Sequence, residues 1–215
     1  MELKATDRSG LLTYLCRQLE AFFPDGQDVR GELDRYLDQG LARVRHCING
    51  VRIWRPESFD YLHSSQYTLF LYYLANSIWR DGGDLRLCTK LFYLNKTLNG
   101  IDLFYEIAMP KVFFIGHSVG IVLAKATYGE YLVLYQNSTV GKNHGVAPVL
   151  GDGVILYPNT AVIGRSTLGP RSYISQGVSV INSDTPGDCY VYQGEAGGLV
   201  IKPPKHDILS DFFRL

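Results

Sequence analysis

The stretch LGDGVI-LYPNTA-VIGRST-LGPRSY-ISQGVS-VINSDT, residues 150–185, divides into six blocks of six residues. Every block begins with an aliphatic residue, namely Leu150, Leu156, Val162, Leu168, Ile174 and Val180. Five of the six fifth places hold a small or β-branched residue; in order they are Val154, Thr160, Ser166, Ser172, Val178 and Asp184. A period of six matches neither a helix, which repeats every ~3.6 residues, nor the alternation of a strand. A repeat of fixed period indicates a solenoid.

Three such blocks make one coil of a triangular parallel β-helix. The first residue of each block points into the prism, and the fifth packs close to a corner. Stacked coils then bury one continuous apolar column. The alternative is an antiparallel sandwich in which the spacing is accidental, and the strict register of all six blocks favours the β-helix.

The same frame extends towards the N-terminus with one interruption. Counting backwards in sixes predicts that Val140, Leu134, Tyr128 and Val122 also point inwards. Leu150 follows Val140 by ten residues, so four residues are extra, and they fall in the segment GKNHGVAP, residues 141–148. Loops on a rigid scaffold often carry functional residues, and this loop contains His144.

Helical patterns fill most of the first hundred residues. The predicted helices cover residues 10–23, 28–48, Ser64 or Ser65 up to Gly82, and 84–98. Each one carries an apolar stripe or a buried run and ends at a glycine or proline signal. We therefore predict an α+β protein with an α-helical N-terminal domain (1–100), a parallel β-helix domain (101–202) and a C-terminal tail (203–215).

Composition narrows the function classes. The 21 basic residues balance the 21 acidic ones, which argues against a nucleic-acid or anionic-membrane partner. The start MELKATDRSG is not signal-like, and no apolar run is long enough for a transmembrane segment, so we expect a cytoplasmic protein. The four cysteines are scattered without metal-ligand spacing, and no phosphate-loop, dinucleotide or metalloprotease motif is present.

The order of motifs resembles one enzyme family. A helical N-terminal part is followed by Asp102, then GHSVGIVL with His117, then QNSTVG, then the loop with His144 and the hexapeptide run. Over residues 65–201 this order is similar to the serine acetyltransferase-like hexapeptide-repeat acyltransferases. The resemblance implies a left-handed β-helix, acetyl-CoA as co-substrate and no metal. It also implies a homotrimer or a dimer of trimers, with sites in the clefts between neighbouring prisms.

The resemblance also implies roles for three residues. His117 matches the general base that removes the proton of the acceptor hydroxyl, a step that needs a base with a pKa near neutrality. Asp102 matches the carboxylate that orients the ring of this base, as in catalytic triads. His144 matches the second histidine of the site, which either bonds the tetrahedral oxyanion or positions the acceptor.

Two departures from the family pattern bear on the acceptor. In the serine enzymes an aspartate precedes the base and an arginine precedes the second histidine, and these receive the charges of the amino acid; here the two places hold Gly116 and Asn143. A neutral sugar needs no such charges, so the sequence favours O-acetylation of a sugar hydroxyl, in a surface polysaccharide, capsule or lipopolysaccharide precursor. Aromatic candidates for stacking on the sugar are Tyr105, Phe113, Phe114, Tyr131 and Tyr135.

Three alternatives stay open: a serine O-acetyltransferase of cysteine biosynthesis, an N-acyltransferase acting on an amino sugar, and a non-catalytic trimeric scaffold. In each of the enzyme alternatives the acceptor is a small molecule or an oligosaccharide. By the same resemblance, the candidate contacts for the pantetheine arm of CoA are Pro158, Asn159, Gly164 and Gln176. Lys202 is the candidate contact for the CoA phosphates.

Overall fold

The computed structural model describes residues 1–215. The helices are α1 Arg8–Phe22, α2 Arg30–Gly50, α3 Ser64–Arg80, α4 Leu85–Asn99 and the short α5 Leu209–Phe212. Each of the four predicted helices is confirmed, with ends that differ by less than one turn. The bounds of α4 follow from its caps: Asp84 accepts hydrogen bonds from the backbone N–H groups of Arg86 and Leu87, and Gly100 ends the helix at a φ of 65°.

Helix α3 is the centre of the helical domain. Residues 65–78 are all buried between α2, α4 and the β-helix. Its polar side chains bond the segment between β3 and β4 in the first coil: Tyr72 Oη donates to the carbonyl of Ile107 at 2.6 Å, and Asn76 Nδ2 donates to that of Tyr105 at 2.6 Å. These bonds join the helical domain to the β-helix.

The strands are short. In chain order they are β1 Glu2–Leu3, β2 Ser58–Phe59, β3 Asp102–Leu103, β4 Phe113–Ile115, β5 Val122–Leu123, β6 Thr127–Tyr128, β7 Leu132–Leu134, β8 Thr139–Gly141, β9 Val149–Leu150, β10 Ile155–Leu156, β11 Ala161–Ile163, β12 Thr167–Leu168, β13 Ser172–Ile174, β14 Ser179–Ile181, β15 Cys189–Gln193 and β16 Leu199–Lys202. β1 and β2 pair with each other beside the helices. The other strands build the prism.

The prism has three faces of parallel strands. Face A contains β4, β7, β10, β13 and β15, with β16 added antiparallel at its edge. Face B contains β3, β5, β8, β11 and β14, and face C contains β6, β9 and β12. The chain passes from A to B to C and back to A, so each coil stacks on the previous one. The predicted parallel β-helix is confirmed.

The inward column is almost completely closed to solvent. Its members Tyr128, Leu134, Val140, Leu150, Leu156, Val162, Leu168, Ile174 and Val180 are between 0% and 7% exposed. Val140, Val162 and Val180 lie in register on neighbouring strands of face B. The period of six therefore identifies the core of these coils residue by residue.

One predicted inward residue is wrong. Val122 is 46% exposed, whereas Leu123 is 4% exposed and lies in register with Val140. Leu123 and Tyr128 are separated by five positions instead of six, so the corner between β5 and β6 is one residue shorter than the later corners. Because side chains alternate along a strand, a shift of one residue reverses the side that each faces.

Small residues at the fifth place of a block stabilise the corners of the prism. Ser166 Oγ donates to the carbonyl of Ile163 at 2.9 Å, and Ser172 Oγ donates to that of Gly169 at 2.7 Å. Asp184 leaves the pattern: it is exposed, and its carboxylate accepts the backbone N–H of Thr167 at 2.8 Å. The regular repeat ends in this sixth block.

Glycines occupy one position of the corner between faces C and A. A Cβ on Gly129 would lie 2.5 Å from the backbone N of Asp152, and a Cβ on Gly169 would lie 2.5 Å from that of Gly187. Real Cβ atoms do not approach a neighbouring backbone so closely. Glycine at these places lets successive coils stack.

The C-terminal segment runs over face A and back to the helical domain. The side chain of Phe213 is fully buried, and the ring of Phe212 lies 5.8 Å from Phe114 and 6.4 Å from Tyr135. The guanidinium of Arg214 donates to the carbonyls of Asn49, Val51, Arg52 and Trp54. The segment therefore covers part of face A. In the helical domain, as elsewhere, no helix has the length and apolarity that crossing a bilayer requires.

Candidate active site

His117 lies at the corner between faces A and B, just after β4, and its imidazole is exposed. The helical domain fixes the backbone around it. Ser118 Oγ donates to the carbonyl of Asn99 at 2.6 Å, and Ser65 Oγ donates to that of Gly116 at 3.5 Å. The end of α4 and the start of α3 therefore position the candidate base, while its ring stays open to solvent.

Asp102 lies on the neighbouring coil of face B. Its strand pairs in register with Val122, five residues after His117. The carboxylate accepts a hydrogen bond from Lys96 Nζ at 2.6 Å, and Lys96 Nζ lies 5.9 Å from the ring centre of Phe92. In this structure the partner of Asp102 is thus a lysine of α4 and not the ring of His117.

His144 sits at the tip of a tight hairpin at the corner between faces B and C. The backbones of Asn143 and Val146 exchange two hydrogen bonds, at 2.9 and 3.0 Å. His144 and Gly145 between them have φ values of 47° and 81°, which is the conformation of a two-residue hairpin turn and explains the glycine. The four extra residues of the interrupted repeat are accommodated in this hairpin and the segment that follows it.

The two histidines lie on opposite edges of face B. His117 precedes β5, where the chain enters the face, and His144 follows β8, where the chain leaves it. A strand of three residues spans about 10 Å, and the face lies between them. Within one chain the structure does not bring His117 and His144 together.

The aromatic ring of Tyr135 fills the space beside the Cα of Gly116. A Cβ on Gly116 would lie 2.6 Å from Cε1 of Tyr135, so no larger side chain fits here unless the ring moves. Tyr135 in turn stacks on Tyr157, with ring centres 5.8 Å apart and planes at 10°. Burial raises the pKa of Tyr135 and raises that of Tyr157 to about 12, so both phenols are neutral at physiological pH.

Comparisons with known proteins give one consistent result. No protein-family model matches the chain. A stretch of 110 residues is 28% identical to the plasmid serine acetyltransferase of Synechococcus elongatus, covering 45% of this chain and 34% of that protein, so the chain spans about a third of the length of this relative. The solved serine acetyltransferase of Neisseria gonorrhoeae superposes with a TM-score of 0.71 at 18% identity, over 94% of this chain and 82% of that one.

A serine acetyltransferase solved in complex with CoA superposes with a TM-score of 0.66 at 17% identity, over 92% of this chain and 86% of that one. The fold is that of the serine acetyltransferases. The left-handed β-helix that the sequence resemblance implied is thereby confirmed. All three of these proteins are named serine acetyltransferases, and none is a sugar acetyltransferase.

On this serine acetyltransferase fold the candidate CoA contacts fall into three places. Pro158 and Asn159 lie on the corner of His117 two coils further along, and Gln176 lies there three coils further along. Gly164 lies on the corner of His144, where a Cβ would approach that of Asn143 to 2.8 Å. Lys202 lies apart from both corners, on β16, with Nζ 5.7 Å from the ring centre of Tyr192.

Three of the five aromatic candidates for sugar stacking are unavailable. Tyr105, Phe113 and Phe114 are 6%, 0% and 5% exposed. Phe113 packs against Tyr72 and Tyr73, Phe114 against Trp54 and Phe212, and Tyr105 against Phe104, so the prediction that these three rings offer stacking faces is wrong. Tyr131 packs against Phe213 at 5.3 Å, and Tyr135 is partly exposed.

Gln136 is a residue near the candidate site that the sequence did not predict. Its carbonyl oxygen Oε1 is buried and has no hydrogen-bond partner in the protein, which is an unusual state for a buried polar atom. The residue lies on the corner of His117, one coil further along, because the neighbouring Asn137 N–H donates to the carbonyl of Val119 at 3.0 Å. Its position within the motif QNSTVG was the available signal. No three His, Cys, Asp or Glu side chains are grouped so as to hold a metal ion.

Proposed function

We propose that this chain is an acetyl-CoA-dependent O-acetyltransferase whose acceptor is the hydroxyl of L-serine. The observation that carries the proposal is the agreement between two independent likenesses. The sequence relative and the superposed structures are all serine acetyltransferases, one of them in complex with CoA. The cofactor implied is acetyl-CoA, used as the acetyl donor.

The chemistry that we assign to His117 is general base catalysis. The imidazole takes the proton of the acceptor hydroxyl while the hydroxyl oxygen attacks the thioester carbonyl carbon of acetyl-CoA. The tetrahedral intermediate then collapses, the C–S bond breaks, and the proton passes from the imidazole to the sulfur of the leaving CoA. An exposed ring on a corner fixed by α3 and α4 is suited to this task.

We assign to Asp102 the role of orienting the His117 ring. Its Oδ2 accepts from Lys96, and we assign the ring N–H of His117 to Oδ1. A carboxylate held in this way would fix the tautomer that leaves the other ring nitrogen free for the acceptor. Lys96 would then act as a second support for the same carboxylate.

We further propose that the complete site forms between two copies of the chain. His117 and His144 lie on opposite edges of face B, so a site that uses both requires His144 of a neighbouring prism. A closed ring of three prisms supplies three such sites. In this arrangement the corner with Pro158, Asn159 and Gln176 meets the corner with Gly164, which leaves a groove for the pantetheine arm.

A sugar hydroxyl is the second candidate acceptor, and a specific observation favours it. Gly116 and Asn143 offer no charge to a zwitterion, and the ring of Tyr135 fills the space beside Gly116. The loss of two charge-assisted hydrogen bonds weakens the recognition of a free amino acid. A partly exposed tyrosine ring beside the base instead suits a sugar face.

The deciding experiment measures CoA release by the purified protein from acetyl-CoA. One series contains L-serine and the other a panel of nucleotide sugars and surface oligosaccharides, with product analysis for O- and N-acetylation. Release with serine supports the main proposal, and release with a sugar alone supports the second. If neither series releases CoA, and CoA itself does not bind in calorimetry, the enzyme proposal is wrong and a scaffold is favoured.

A further inference from the structure

A cavity lies between the helical domain and the corner of faces C and A. Its volume is about 780 Å³, the largest among the main cavities of the chain. Its walls come from α2, from the end of α3, and from residues 108–111 and 128–130. It therefore lies at a different corner of the prism from His117. Its size falls in the usual range for small-molecule sites, roughly 300–1,000 Å³.

The wall of this cavity carries more positive than negative charge. Arg43, Arg80 and Lys111 line it, and none of the three forms an ion pair with a carboxylate. The one carboxylate in the wall is that of Glu130. Its oxygens accept the backbone N–H groups of Lys111 and Val112 at 3.0 to 3.2 Å. The three cations thus lack an anion of their own.

Arg43 is held in place by the protein. Its Nη1 donates to the carbonyl of Tyr73 at 3.2 Å and to Ser77 Oγ at 3.0 Å, and its guanidinium carbon lies 4.6 Å from the ring centre of Tyr73. No carboxylate pairs with the guanidinium, and its other neighbour is the side chain of Tyr72. Burial lowers the pKa of Arg43, and the nearby charge of Arg80 lowers it further. A half-buried cation without a counter-ion is unfavourable, and a bound anion would remove this cost.

We propose that this cavity binds a small organic anion through a carboxylate or phosphate group held by Arg43, Arg80 and Lys111. A guanidinium presents two parallel N–H donors to either group. Met109, Pro110 and Tyr128 form an apolar part of the wall against which the organic body can pack. A ligand here contacts α2, α3 and the first coils together, so it ties the helical domain to the β-helix.

The test uses the full chain with inorganic phosphate and citrate as separate probes. Calorimetry on the wild type should give saturable binding of at least one probe at one site per chain, with an increase in Tm. The charge-removing variants Arg80→Gln and Lys111→Gln change exposed side chains, so folding should persist, and each should weaken binding by about tenfold, the loss of one charge-assisted contact. Arg17→Gln, an exposed cation on α1 outside the cavity, is the matched control and should bind as the wild type does.

Three results would overturn the proposal. The first is that neither probe binds saturably to the wild type. The second is that Arg17→Gln loses as much affinity as Arg80→Gln, which would mean that overall charge and not the cavity is responsible. The third is that saturating CoA abolishes binding of the probe, because the anion would then occupy the CoA site. If the probe still binds in the presence of CoA and binds more weakly to Arg80→Gln, the result supports anion binding in this cavity.

Which of the two anions binds decides the ligand class. Binding of phosphate with weak binding of citrate indicates a phosphate ester, and the reverse indicates a di- or tricarboxylate. Arg43→Gln removes the guanidinium that the protein itself positions, and it should abolish binding of either probe. The fold of this variant is checked by circular dichroism before the titration, and Lys111→Gln serves in its place if the helices are lost.

Discussion

The first coils of the β-helix and the later ones have the same three faces and corners, but only the later coils keep a strict six-residue period. Residues 150–180 keep the six-residue period, and each residue at the first place of a block is buried. Residues 101–149 depart from it three times: at the corner of His117, where Ile115 and Leu123 are eight positions apart instead of six, at the shortened corner after Leu123, and at the hairpin with His144. Both candidate catalytic histidines lie in the irregular part. We therefore expect the regular coils to act as a rigid support and the candidate catalytic residues to lie where the repeat is interrupted.

The largest effect is expected at the corner that carries His117. His117→Ala should lower turnover by about 10²- to 10⁴-fold, the usual contribution of a general base, while Tm stays the same because the imidazole is exposed and makes no hydrogen bond within the chain. CoA release and thermal melting check both parts. His206→Ala, an exposed histidine in the C-terminal segment, is the control and should keep full activity.

Mixing subunits sharpens this prediction. If each site uses His117 of one chain and His144 of the next, an inactive His117→Ala protein and a weakened His144→Ala protein should regain activity when they are refolded together. Activity that stays at the average of the two separate proteins would contradict a site shared between chains.

The next effect compares two valines of face B that the repeat frame treats alike. Val140→Ala should lower the free energy of unfolding by about 2 kcal/mol, because its side chain is fully buried. Val122→Ala should change it by less than about 0.5 kcal/mol, because its side chain is exposed. Urea denaturation measures both values. Equal losses would show that the one-residue shift at β5 is not present in solution.

The smallest effect concerns acid stability in the helical domain. Hydrogen bonds from Arg45 and Asn49 hold the pKa of Glu57 at about 2, below its ordinary value of 4.5. The stability that this carboxylate contributes is therefore complete above pH 4.5 and is lost as the pH falls towards 2. Glu57→Gln should lose less stability than the wild type between pH 5 and pH 2, as measured by urea midpoints. The matched variant Glu20→Gln, at an exposed acid of α1, should keep the slope of the wild type.

The same contrast explains how much the sequence could predict. The period of six identified the buried column from Tyr128 to Val180, because every coil repeats one steric environment. It failed at Val122, where a corner is one residue shorter and no neighbouring repeat reveals it. Helices α1 to α4 could be located because their apolar stripes and end signals are local.

The candidate site was harder to predict, because its contacts join distant parts of the chain. The motif order located His117, Asp102 and His144, but not the pairing of Asp102 with Lys96. Nor could it reveal that the ring of Tyr135 covers Gly116, since the two residues lie on different coils. Phe113 and Phe114 looked available for a ligand because no pattern in the sequence shows that Phe113 packs against α3 and that Phe114 packs against Trp54 and Phe212.

The contacts of Arg214 have a consequence for the order in which the molecule is made. Its guanidinium donates hydrogen bonds to backbone carbonyls of residues 49–54, which precede Arg214 by 160 to 165 positions in the chain. During synthesis the loop after α2 must wait for nearly the whole chain before it receives these donors, and closing so long a loop is slow. The C-terminal segment thus adds its contacts to the helical domain only after the β-helix has been synthesised, and we expect the two parts to unfold as a single cooperative unit.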